Sequence, residues 1–144
     1  AIPAKSQAHE TYAEVEIHGR INTELDEVDL TDKIIYEDKN GSKLYMQNPD
    51  YPQTEEQWAE KQIFKKTVGR ITALQQEDFA VGNINSQSSL PLPSKEELQQ
   101  IRTFIFRIDA DTPALREAVE NVIKRLAEQF PEYSFSAIYG YGGK

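Results

Sequence analysis

The chain reads as an α+β fold, a two-layer sandwich with a mixed β-sheet, an N-terminal β-hairpin region and a C-terminal βαβ unit. Three observations predict it: apolar alternation in the first third, helix starts marked by capping residues, and a strand–helix–strand succession at the carboxyl end.

From Tyr12 to Ile21, Ala13, Val15, Ile17 and Ile21 alternate with Glu14, Glu16, His18 and Arg20, which predicts a half-buried strand. The acidic stretch Glu24 to Asp29 reads as a connection. Residues 33–39 and 42–46 flank Asn40-Gly41, the pair that suits a type I′ turn. A hairpin centred there sets Tyr36 opposite Tyr45 and Asp38 opposite Lys43, with Ile35, Leu44 and Met46 on the core side.

Beyond the turn-rich residues 48–52, Thr54 and Gln57 form a capping box for a helix through Phe64. Residues 67–74 continue either as helix or as strand, and Gly69 with the β-branched Val68, Ile71 and Thr72 favours strand. Residues 80–93 have the composition of a loop about fourteen residues long, which fits a functional loop or a joint between two halves. Ser94 and Glu97 form a second capping box for residues 95–101, and a strand follows at 103–108.

Thr112 as N-cap with Pro113 behind it opens the clearest helix, ending near Gln129. Its apolar stripe runs Leu115, Ala118, Val119, Val122, Ile123, Leu126, Phe130. Tyr133 to Tyr141 then alternates again, so strands 103–108 and 133–141 should be parallel with a right-handed crossover.

All 144 residues fit one domain at this length. Apolar residues make up 38%, charged residues 28% and aromatics 10%, a composition that folds rather than one that stays disordered. With no cysteine, a disulfide framework, a thiolate zinc site and a cysteine nucleophile are excluded. No apolar run approaches the ~20 residues of a spanning helix, and a soluble chain without a membrane partner is expected. The start at Ala1 fits removal of an initiator methionine in the cytoplasm, the expected compartment, and fits equally a chain left after signal cleavage. Against 16 basic residues stand 24 acidic ones, so the net charge of −8 opposes nonspecific binding to a phosphate backbone.

Motifs of chemistry are sparse. His9-Glu10 lacks the second histidine of a helical zinc motif, His18 lies on the polar face of its strand, and no Gly-x-Ser-x-Gly occurs. The terminal Gly140-Tyr141-Gly142-Gly143-Lys144 has phosphate-loop composition but no helix to follow it. Glu24, Asp26, Glu27, Asp29 and Asp32 lack the spacing of a hand-type calcium loop. A hydrophobic strand, Phe104-Ile105-Phe106, leads into Ile108-Asp109-Ala110-Asp111-Thr112, which resembles the opening motif of the haloacid dehalogenase-like phosphotransferases. That resemblance implies magnesium with Asp109 and Asp111 as nucleophile and acid/base. The usual Gly spacer is missing, and about 35 residues remain downstream for the rest of such a site. Helix capping accounts for the same residues.

No cofactor or metal ligand set is assembled by these motifs. The leading expectation is a non-catalytic protein-interaction or assembly module, engaging a protein partner or a second copy through Tyr36, Tyr45, Asp26, Glu27 and Asp29. The alternatives are a single-stranded nucleic-acid-binding protein using Lys61, Lys65, Lys66 and Arg70 beside a sheet carrying Phe104, Phe106, Tyr139 and Tyr141, and a small magnesium-dependent phosphotransfer enzyme using Asp109 and Asp111. Phe104, Phe106 and Ile108 share one face, which is also the pattern of a core strand under the 113–129 helix.

Overall fold

The computed structural model describes residues 10–46, 53–83 and 92–142. In order come β1 (Thr11–His18), β2 (Thr23–Asp29), β3 (Ile34–Lys39), a 3₁₀ helix (Gly41–Met46), α1 (Glu55–Ala59), a π-helical turn (Glu60–Lys65), α2 (Lys66–Leu74), β4 (Ala80–Asn83), α3 (Lys95–Gln99), β5 (Thr103–Ile108), α4 (Pro113–Gln129) and β6 (Ser134–Tyr139). The strands form a six-stranded mixed sheet in the order β4-β1-β2-β3-β5-β6. β1, β2, β3 and β4 pair antiparallel, and β3, β5 and β6 run parallel. The α+β class, the mixed sheet and the C-terminal βαβ unit are as the sequence predicts.

The three capping signals hold at the atomic level. Thr54 and Ser94 each accept from the third helical N–H, with Gln57 and Glu97 reciprocating. Thr112 Oγ1 accepts from Leu115 N–H at 3.2 Å. The helices cover one sheet face, where Phe104, Phe106 and Ile108 of β5 are wholly buried beneath Leu115, Val119 and Leu126 of α4.

Several expectations are corrected. Asn40-Gly41 makes no hairpin, because the next strand beside β3 is β5, and the chain turns into the 3₁₀ helix instead. Tyr36 therefore sits between Glu27 and Ile105, and Asp38 lies beside Arg107, not Lys43. Gly41 allows a close approach: a Cβ there would stand 3.0 Å from Ile108 Cγ2 and 3.3 Å from Leu115 Cδ2, tight enough that both side chains would have to shift. Ile35 and Leu44 do face the core, while the Met46 side chain lies outside the described residues.

Residues 67–74 are helix rather than strand. They prolong α1 through the π-helical turn and bury Thr67, Ile71, Ala73 and Leu74, so packing overrides β propensity. The acidic stretch 24–29 is not a connection but β2, inside the sheet. Its buried Leu25 and Val28 are three apart, an odd spacing that a regular strand cannot bury on one face. The burial phase switches along the β1–β2 pair near Glu14, whose φ of 53° is left-handed. Of the residues that alternation places on the buried face, Val15 and Ile17 are buried, whereas Ala13, before the phase switch, is exposed and Ile21 lies past the end of β1 and is 39% exposed. Within 80–93, residues 80–83 are strand β4, and 84–91 lie outside the described residues, as do His9, residues 48–52 and the last two of the chain.

Candidate functional site

The sheet face away from the helices gathers most of the expected partner-binding residues. Arg107, on β5, is their centre: it meets Asp38 at 2.7 Å and Glu27 at 3.0 Å. Its guanidinium lies 4.5 Å from the Tyr36 ring centroid and 4.9 Å from that of Tyr141. Asp29 is buried at the β2–β3 turn, where Oδ1 accepts from Asp32 N–H at 3.0 Å. Asp26 Oδ2 accepts from Asp38 N–H at 2.8 Å, so a side chain replaces the backbone ladder where β2 and β3 part. Tyr45 is placed apart. From the 3₁₀ helix its hydroxyl reaches Thr112 Oγ1 at 2.7 Å and Glu55 Oε2 at 3.1 Å.

The Asp109 and Asp111 carboxylates are each committed elsewhere. Asp109, just past the end of β5, accepts from Ser42 N–H at 2.8 Å and from Ser42 Oγ at 2.9 Å, capping the 3₁₀ helix. Asp111 accepts from Arg116 at 2.6 and 2.9 Å, which holds its carboxyl below the usual range. Among the described residues no group of three or more histidine or carboxylate side chains is placed to hold a metal ion.

Of the basic stretch, Lys61, Lys65 and Lys66 are exposed on the helical layer. Arg70 turns inwards instead, with Nε 3.1 Å from Glu37 Oε1 and donating to the Glu24 carbonyl at 3.1 Å. Phe104 and Phe106 lie under the helices, so the cations and the sheet aromatics do not meet on one surface.

Glu37 and Lys39 were missed as buried charges, since β3 alternates them in phase with Ile35. Glu37 is fully buried and Lys39 is 6% exposed. Burial pushes the Glu37 carboxyl up to about 8 against the pull of Arg70. Burial, then the like charges of Arg70 and Lys66, brings Lys39 down to about 8. Glu37 Oε1 has no hydrogen-bond donor, because the Arg70 Nε–H beside it points to Glu24.

The second feature missed is the sheet margin. β6 is an edge strand, and Ser134 N–H donates to the Arg102 carbonyl at 2.7 Å. Residues of a parallel strand alternate in the side to which N–H and C=O both point. Ser136 and Ile138 therefore also turn to β5, whereas Phe135, Ala137 and Tyr139 present theirs outward. The strand Ser-Phe-Ser-Ala-Ile-Tyr carries no charge, no proline and no glycine, and Ile138 on its open face is 43% exposed. Edge strands are normally blunted by charge, proline, bulges or shortness. The opposite edge, β4, is only four residues long. Among the described residues β6 has none of these protections, a signal present in the uncharged run 133–141 but meaningful only once the strand order is known.

No helix among the described residues is long and apolar enough to cross a membrane. Comparison of the chain with protein-family models, with curated proteins and with solved structures finds no match in any of the three.

Proposed function

We propose that the chain is a non-catalytic assembly module that pairs with a second copy of itself by strand addition at β6. The observation that carries this reading is the uncharged, unprotected β6 edge with three outward backbone pairs.

Self-complementarity supports a second copy as the occupant. An antiparallel copy turned about Ala137 sets Ala137 opposite Ala137, Phe135 opposite Tyr139 and Ser136 opposite Ile138. Each outward N–H then meets an outward C=O of the other copy, the two-fold arrangement of an isologous dimer. No like charges face each other across this register. The adjoining open face, with Tyr141 46% exposed and Tyr36 under Arg107, forms the rim.

Light scattering on a gel-filtration column tests the reading, with the parent expected to elute as a dimer. Ser136 and Ile138 are exposed, so charges placed there leave the fold intact. The double variants S136K/I138K and S136E/I138E each set like charges across the pairing and should be monomers, whereas their equimolar mixture should dimerise. A monomeric parent, or a dimer indifferent to both pairs, overturns the proposal.

A further inference from the structure

A cavity of about 390 Å³ opens beside the carboxyl end of β3, away from the β6 edge. One wall is the 3₁₀ helix with Asn40, Lys43 and Leu44, and the other is the stripe Trp58, Gln62 and Lys66, spaced four apart across the π-helical turn. Turns of this kind inside a helix recur at functional sites. The volume lies in the range of small-molecule pockets.

The charge of the lining is the decisive point. In a chain with 24 acidic and 16 basic residues, the described residues that line this cavity include two lysines and no carboxylate. Neither Lys43 nor Lys66 has an ion-pair or side-chain hydrogen-bond partner among the described residues. Lys39, at the end of β3, feels the repulsion of Arg70 and Lys66 against the attraction of Glu37 and Asp26, and burial holds Glu37 towards its neutral form. Among the described residues, Lys43 and Lys66 therefore bring positive charge to the cavity that no ion pair neutralises. Beside the lysines, amide donors from Asn40 and Gln62 suit oxygen acceptors, and Trp58 supplies a flat apolar wall.

We infer that the cavity between the 3₁₀ helix and the Trp58–Lys66 stripe binds a small organic anion, its phosphate or carboxylate on Lys43 and Lys66 and its flat apolar part against Trp58. The site is separate from the β6 edge and stands whether or not the chain dimerises.

Trp58 is the only tryptophan, so its fluorescence reports the cavity directly. Phenyl phosphate is expected to change that emission saturably with a dissociation constant of about 1 mM or tighter. Inorganic phosphate should compete for the lysines, and phenol alone should leave the emission unchanged. In K43Q/K66Q, whose exposed side chains are not part of the core, melting temperature should hold and affinity for phenyl phosphate fall at least about tenfold. No saturable change in the parent, or equal affinity in the double variant, overturns the inference.

Discussion

Glu37 shows how one residue sets the pH response of the whole fold. Its native carboxyl titrates near 8, above its unfolded value of 4.5, so the native state binds the extra proton between those limits and stability falls as pH rises through them. Lys39 acts in the opposite sense higher up: with its native value near 8 and its unfolded value at 10.5, the native state binds fewer protons there, and stability recovers. The pair together produces a stability minimum near pH 8. Glu37→Gln keeps the shape and removes the charge. Chemical denaturation should find it within about 0.5 kcal/mol of the parent at pH 4.5 and more stable by about 1 kcal/mol or more at pH 8. A variant less stable than the parent at pH 8 would show that the Arg70 ion pair outweighs burial. The phase of Ile35 places Glu37 and Lys39 on the core side, but the burial of two opposite charges there is not legible in the sequence, because charged residues ordinarily mark a solvated face.

At the scale of elements, the helices are legible and the strand partners are not, for a physical reason. Thr54/Gln57, Ser94/Glu97 and Thr112/Pro113 act on backbone groups within one turn, so the information is local. Asn40-Gly41 misleads because glycine serves two purposes: the sequence suggests a positive φ, and the structure uses the missing Cβ against Ile108 and Leu115. The gathering of Glu27, Asp29 and Tyr36 on one face is hidden, because Leu25 and Val28 break the alternation of β2 and make 24–29 read as a connection, and Arg107 joins them only because β5 inserts beside β3. Two predictions belong here. Thr112→Ala removes the α4 cap and the hydroxyl partner of Tyr45 and should cost about 1 kcal/mol in thermal unfolding. Asp109→Ala removes the acceptor of Ser42 N–H and one of the two acceptors of its hydroxyl, leaving Asn40 Oδ1, and should cost about 1–3 kcal/mol, with no dependence on magnesium. Magnesium-dependent stability in the parent but not in this variant would instead revive the phosphotransfer reading.

Across the whole molecule, the two proposed activities should answer to salt with opposite signs. Two copies of charge −8 repel, so raising sodium chloride from about 10 mM to about 150 mM, which shortens the screening length from about 30 to 8 Å, should strengthen the dimer. The same change should weaken phenyl phosphate at Lys43 and Lys66, as sedimentation and Trp58 fluorescence on one sample would reveal together. The parallel seam between β3 and β5 has a further consequence, for kinetics. Its partners are far apart in the chain, as in Asp38 and Arg107, separated by 69 residues, whereas β1-β2-β3 and β5-α4-β6 are each built from neighbouring segments. Chain closure across that distance carries an entropic cost before any contact repays it. Joining the two segments should therefore limit refolding. Truncating Ile35 or Phe104 in the seam will slow folding, and truncating Val81 at the far edge will chiefly hasten unfolding.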